Sequence, residues 1–290
     1  MQWYYLAIIS ALFSALAAIL EKKSLFRIPT LDFSFWLAIV NVVFAAPFFL
    51  SVDFVNLNYS ALSLLFFKSL MGAFSFLFVM KGLKELQISS SLPLLALTPG
   101  LVAVVAFIAL GESLSAKEIG GLLLLGVGTY TLQAHHEKDL FEPFRHIFRD
   151  KAFRYILIAL VIFTTTSILD KVMVGKMKMP VENFMGFQHL FLGFHFSLIV
   201  AFSKKGKQTL LKSWKVSWKL IMIVAALTIV YRYSHIMAVK LESVALVLSI
   251  KRISVFFAVL VGGKLFSEQH LLRKSIATAI MVGGAILIIL

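Results

Sequence analysis

SVALVLSIKRISVFFAVLVGGKLF, residues 243–266, is an apolar stretch with two adjacent cations, Lys251 and Arg252, in its interior. At about 1.5 Å per helical residue, the pair lies roughly 13 Å from the start of the stretch. A bilayer's hydrocarbon core is about 30 Å thick, so a spanning helix here carries both charges near the midplane. Insertion of such a residue at a helix centre costs about 2.5–3.5 kcal/mol. A chain that keeps two side by side points to something negative held between its helices.

The rest of the chain supports a membrane reading. Its 290 residues are 60% hydrophobic and only 14% charged, with 28 Phe, and its mean hydropathy is +0.93. Soluble domains carry about 25% charged residues, and no soluble core of this size absorbs so much apolar surface. Cysteine is absent, which excludes disulfides, thiolate metal sites, Fe–S clusters and thiol catalysis. The net charge of +14 is concentrated between apolar runs. The positive-inside rule and anionic headgroups account for it better than nucleic acid does. The first run, Trp3 to Leu20, lacks a basic leader and an Ala-x-Ala cleavage pattern, and reads as a retained helix. Walker A, HExxH and GxSxG patterns are missing, and no carboxylate pair is spaced for acid–base work. The chain is thus expected to be no enzyme and to need no metal or cofactor.

Ten apolar segments are expected, at 3–20, 32–51, 60–82, 88–110, 118–134, 152–174, 182–202, 216–238, 243–266 and 271–290. The two halves resemble each other. Ala18-Ile-Leu-Glu21-Lys22 matches Ser167-Ile-Leu-Asp170-Lys171. Ala109-Leu-Gly111-Glu112-Ser113 matches Leu265-Phe-Ser267-Glu268-Gln269, and a glycine-bearing helix follows each: Gly120, Gly121, Gly126 and Gly128, then Gly283 and Gly284. The expected fold is an all-α integral membrane protein. Ten transmembrane helices form two five-helix repeats, 1–140 and 150–290, in one polytopic domain. An odd number of helices per repeat inverts the second copy, and inverted-repeat carriers bind solute near the midplane. Loop charge places both termini outside.

Lys251 and Arg252 are about 100° apart on a helix, so both can border one cavity. Glu21, Glu85, Glu112, Asp170, Glu242 and Glu268 all fall near segment ends, which leaves the pair without a carboxylate at its depth and favours an anion site. Arg232 lies in Tyr231-Arg-Tyr-Ser-His235. Its planar fork suits phosphate or carboxylate, with Tyr231, Tyr233 and His235 to contact the rest of a solute; the alternative for Arg232 is snorkelling. Lys68, two turns into the third segment, divides between the same two roles. Asn41, Gln188, His189 and His195 suit interhelical hydrogen bonding. Glu21 and Asp170, at equivalent repeat positions, read as interfacial anchors or gates rather than a proton relay. Pro93 and Pro99 free backbone carbonyls in the fourth segment. The glycines, and the Ala279-xxx-Gly283 spacing, suit close helix packing.

This ordered duplication resembles the EamA-type members of the drug/metabolite transporter superfamily. The resemblance implies an alternating-access carrier whose central cavity is lined mainly by the first, third, fourth, sixth, eighth and ninth helices. It also implies cytoplasmic termini, against the loop charge, so orientation stays open. SIKRISV (249–255), GGKLFSEQ (262–269) and IATAI (276–280) with GGA (283–285) are similar to the ninth and tenth helices of plastid triose-phosphate/phosphate translocators. There the Lys-Arg pair binds the substrate's phosphate, a role this likeness implies for Lys251 and Arg252. Lys68 has no such motif support. The expectation is a secondary transporter, an antiporter by preference, of a small anionic metabolite (organophosphate or organic acid) in the cell membrane. It contacts lipids and the solute but no nucleic acid, and a homodimer is one allowed assembly. An amino-acid or metabolite exporter, a flippase for a phosphate-linked lipid and a non-transporting scaffold are the alternatives.

Overall fold

The computed structural model describes residues 2–98, 100, 101, 115–133, 149–203, 207–242 and 244–288. Among these residues the structure is helical, with no strand. The elements are α1 (Trp3–Leu25), α2 (Thr30–Ala45, continued by a 3-10 turn Ala46–Ser51), α3 (Tyr59–Glu85) and α4 (Ile88–Ser91, tightening to 3-10 over Leu92–Leu97). They continue with α5 (Ala116–Gln133), α6 (Lys151–Lys171, ending in a π turn Val172–Lys176), α7 (Val181–Ala201) and α8 (Lys207–Leu241). Last come α9 (Val244–Phe257, then a π turn Ala258–Gly262 and Gly263–Leu265) and α10 (Leu271–Leu287).

Local chemistry sets several ends. Asn58 caps α3 by accepting from the Ala61 amide, and Asp150 caps α6 by accepting from Ala152 and Phe153. Pro29 and Pro180 stand immediately before α2 and α7, where no intrahelical donor is lost. Pro93 lies in the 3-10 stretch of α4; Pro99, Gly111 and Glu112 lie outside the described residues.

Two expected boundaries need correction. The helix α1 runs on past Glu21 and Lys22 to Leu25, and α8 starts at Lys207 instead of near 216. Lys22 does not end α1, because it reaches the carbonyls of Leu83 and Leu86, and the first turns of α8 are held to α2, where Trp36 Nε1 donates to the Leu210 carbonyl and the Ser213 hydroxyl donates to Asp32.

Six helical stretches are long and apolar enough to cross a membrane: Trp3–Leu25, Thr30–Ser51, Tyr59–Glu85, Lys151–Lys176, Val181–Ala201 and Thr209–Leu241. Leu16, Phe67, Val161, Phe194 and Ile223 on these stretches point outward. So much exposed apolar surface has no place in water. The chain is an integral membrane protein.

One buried apolar cluster joins Leu6 of α1, Leu65 of α3, Phe184 of α7 and Val247 of α9 to Met173, after α6, and Val239 of α8. The starts of α1, α3, α7 and α9 therefore share one end of the bundle with the ends of α6 and α8. A second cluster joins the other ends of α1 and α3 (Leu25, Leu83) to the start of α4 (Ile88), to Val224 of α8 and to Val259 after α9. Extensive packing pairs α1 with α8, α3 with α6, α2 with both α7 and α8, α3 with α7, and α5 with α10.

The α5–α10 seam is built on glycine. A Cβ at Gly121 would lie 2.7 Å from the Gly284 carbonyl oxygen, one at Gly284 would lie 2.8 Å from that of Gly121, and one at Gly128 would lie 2.9 Å from that of Ala277. The expected Ala279-xxx-Gly283 spacing is not the one used: a Cβ at Gly283 meets nothing within 4 Å, and Ala279 is exposed. Ala277, Met281 and Gly284 form the facing stripe instead, one residue out of phase. Gly126 is likewise open. Gly121→Ala and Gly128→Ala should each cost about 1–3 kcal/mol by overpacking. Gly126→Ala and Gly283→Ala should be neutral or slightly stabilising, because alanine is the better helix former. Thermal unfolding of the purified protein in detergent separates the two classes.

Candidate functional site

Between the two apolar clusters lies a cavity of about 280 Å³, lined from α1, α2, α3, α4, α6, α7, α8 and α9. It takes in the six helices implied by the family resemblance and adds α2 and α7. A volume of this order suits a small metabolite.

Lys68 of α3, Arg232 of α8, and Lys251 and Arg252 of α9 all line it. So do Tyr231 and His235. These residues come from separate elements, and the structure brings them together. Tyr233 is a correction: it stacks on Phe48 at 5.6 Å within the neighbouring apolar cluster and is not among the cavity residues. At about 100° per residue, Tyr231 and Tyr233 point to different faces of α8.

Asp170 is the second correction. It was expected near a helix end, away from the cations. In fact the π turn carries the helix on to Lys176, which leaves Asp170 roughly 9 Å inside that end at about 1.5 Å per residue. Its Oδ1 is 2.7 Å from Lys68 Nζ and its Oδ2 is 3.8 Å from an Arg232 guanidinium nitrogen. Lys68 is 5% exposed and Asp170 3%, so Lys68 does not snorkel. Gln188 Oε1 accepts from Lys68 Nζ at 2.9 Å and from Arg232 at 2.7 Å. Glutamine thus does more here than pair two helices.

The α9 pair is arranged differently. The Lys251 ammonium lies 5.4 Å from the centre of the Tyr231 ring, a cation–π contact. Arg252 donates to the Thr98 hydroxyl at 2.8 Å, while its Nε has no partner among the described residues. Leu95 and Ala96, the positions that the sequence match between the halves sets against them, are apolar.

Several further polar atoms that line the cavity have no hydrogen-bond partner among the described residues. They are Asn41 Oδ1, Ser69 Oγ, both ring nitrogens of His189, His235 Nδ1 and Arg232 Nε. Buried polar groups are normally satisfied, so this convergence of unspent donors and acceptors fits a site completed by water or a polar ligand. Asn41 and His189 were expected to bond between helices. What marks them out in the sequence is spacing: Ser34, Ala38 and Asn41 fall at one helical face, as do Gln188 or His189, Leu192 and Phe196. His195 does bond between helices, with Nε2 3.1 Å from the Phe66 carbonyl oxygen.

Glu21 also lines the cavity and is 7% exposed. Its neighbour Lys22 turns away, donating to the carbonyls of Leu83 (2.5 Å) and Leu86 (2.6 Å) at the end of α3. Lys171, beside Asp170, does the same for Val239 and Glu242 at the end of α8, both at 2.8 Å. Each lysine satisfies last-turn carbonyls that have no intrahelical donor. Glu268 accepts from the Ile88 (2.6 Å) and Ser89 (3.0 Å) amides and from the Ser89 hydroxyl, and so caps the start of α4. No group of three His, Asp or Glu among the described residues is placed to hold a metal ion.

Residues 1–133 match the model of the EamA-like transporter family. No curated protein matches the sequence. A solved structure described as "Crystal structure of protein" is 17% identical, with a TM-score of 0.62, over 98% of this chain and 94% of that chain. That likeness is one of fold, and it runs through both halves of the chain. The family match covers Glu21 and Lys68, whereas Asp170, Arg232, Lys251 and Arg252 all lie beyond it.

Lys22→Met and Lys171→Met should each lower stability by about 1–3 kcal/mol, because buried carbonyls lose their donor. The arginine variants should recover part of this. Thermal unfolding in detergent measures both.

Proposed function

We propose that the chain is a secondary transporter of a small anionic metabolite, an organophosphate or organic acid, working by alternating access between two inverted five-helix halves, 1–140 and 150–290. One observation carries this reading: Lys68, Arg232, Lys251 and Arg252 converge on one cavity whose carboxylates, among the described residues, are Asp170 and Glu21. In a weakly screened interior such an excess of positive charge favours an anion strongly. The family match over residues 1–133 supports transport, and the likeness to the triose-phosphate/phosphate translocators favours phosphate on Lys251 and Arg252.

The inverted halves are supported by helix direction and by packing. The start of α1 clusters with the end of α6, as inversion requires. Exchanging the halves turns the α1–α8 contact into α6–α3, and the α2–α8 contact into α7–α3; all four are present. The lysine caps obey the same exchange, Lys22 on α3 and Lys171 on α8. Antiport follows from the residual charge, since an emptied cationic site resists reorientation in a low-dielectric interior.

A second reading, a zwitterionic solute such as an amino acid, is favoured by Glu21, which lines the same cavity with no ion pair among the described residues.

Purified protein in liposomes, preloaded with unlabelled anions, should take up at least one of labelled phosphate, three-carbon organophosphates or dicarboxylates in a saturable way. Lys251→Gln and Arg252→Gln should each cut that uptake at least about thirtyfold, equivalent to about 2 kcal/mol. Uptake of amino acids alone would select the second reading. Uptake of none of these solutes above protein-free liposomes, or uptake indifferent to both substitutions, would reject anion transport.

A further inference from the structure

Asp170 and Glu21 occupy equivalent places in the two halves, each directly before a lysine that caps a neighbouring helix, yet their surroundings differ. Asp170 contacts Lys68 at 2.7 Å and Arg232 at 3.8 Å, and the Gln188 side chain ties both cations together from the opposite helix. Glu21 has no such contact among the described residues. The cations therefore fall into two sets. Lys68 and Arg232 share a carboxylate and an amide oxygen. Lys251 and Arg252 share neither; they have the face of Tyr231 and the Thr98 hydroxyl.

We propose that Asp170 is a tethered counter-anion that sets the charge of the solute: it occupies Lys68 and Arg232, so that the cavity admits one compact anionic group, held on Lys251 and Arg252, and disfavours solutes carrying a second. This rests on the anion-transport reading above.

Three observations carry it. Asp170 is attached to the wall of the site, so its effective concentration at Lys68 far exceeds that of a free anion. Lys68 cannot turn elsewhere, because it is buried with its ammonium 5.0 Å from the centre of the Phe184 ring. A second anionic group on the solute would either displace Asp170 from Lys68 and Arg232, the two cations its oxygens contact, or lie beside it as a like charge, and interfaces reject both arrangements. The empty site consequently presents two open cations instead of four. Asp170 touches the cations rather than the solute, and acts as a specificity-determining residue.

The test uses inorganic phosphate and pyrophosphate as probes, titrated calorimetrically into the purified full chain. Asp170→Asn should shift relative affinity towards pyrophosphate at least tenfold, and its thermal stability should become more dependent on pyrophosphate than that of the parent protein. Lys68→Gln, which leaves Asp170 in surplus, should move the ratio the other way, and it gives an answer even if Asp170→Asn does not fold. The double variant Lys68→Gln/Asp170→Asn should restore the parental ratio, whereas Arg252→Gln should lose both probes. A ratio within twofold of the parent's in Asp170→Asn and in Lys68→Gln, with Arg252→Gln still losing phosphate, overturns the role of Asp170 and leaves the anion site standing. Binding unaffected by Arg252→Gln, or binding of neither probe by the parent, overturns both.

Discussion

The contact between Lys68 and Asp170, 2.7 Å across the interior of the bundle, is the constraint on which the arrangement of the site depends. Removing one partner of a buried pair costs about 3–5 kcal/mol, because the other charge is left behind. α3 and α6 must therefore approach closely enough for the two side chains to meet. They do so where a Cβ at Gly82 would lie 3.1 Å from the Ala152 carbonyl oxygen, and where the Ser75 hydroxyl donates to Ala159 at 3.2 Å. With that seam closed, α8 brings Arg232 to the other oxygen of the same carboxylate and α7 brings Gln188 between the two cations. Four helices are thereby referred to one carboxyl group.

The α1–α8 seam is as extensively packed, with no ion pair between the two helices among the described residues. Lys22 and Lys171 perform the same structural task at opposite ends of the bundle, holding the last turns of α3 and α8. The acidic residues before them differ in surroundings: Asp170 pairs with Lys68 and Arg232, whereas Glu21 lines the cavity with no ion pair among the described residues. Leu95 and Ala96, which the sequence match sets against Lys251 and Arg252, are apolar, and the four cations that line the cavity come from α3, α8 and α9.

Much of this was legible in the sequence. Hydropathy located the helical elements, because apolar runs of this length have no other stable form in lipid. The four cations could be singled out because charge in such runs is costly. Pairing in space could not. Depth measured from the end of an apolar run put Asp170 only four residues short of a boundary, and depth along one helix does not tell that Lys68 of α3 and Arg232 of α8 reach it. Lys22 looked like a terminus for a related reason: a lysine that reaches two carbonyls of another helix is compatible with burial, and those carbonyls belong to residues some sixty positions away. The misassigned Tyr233 and Gly283 are errors of rotation. Each was placed with a functional neighbour one or two residues away, and one residue is about 100° of helix.

The length of α8 has a mechanical consequence. Its 35 residues make a rod of roughly 52 Å, well beyond a hydrocarbon thickness of about 30 Å. Arg232 sits in the cavity, while Lys212, Trp214, Lys215, Trp218 and Lys219 crowd the other end, where such residues anchor at a headgroup layer. From Arg232 to Lys212 is roughly 30 Å along the axis. A tilt of about 10° pivoting at the ion cluster moves the basic end by roughly 5 Å, over that lever arm of 1.5 Å per residue. The chain has no native cysteine, so one thiol introduced at that end can carry a spectroscopic label without background. The far tip of α8 is thus an external pointer to the state of a cavity it does not touch.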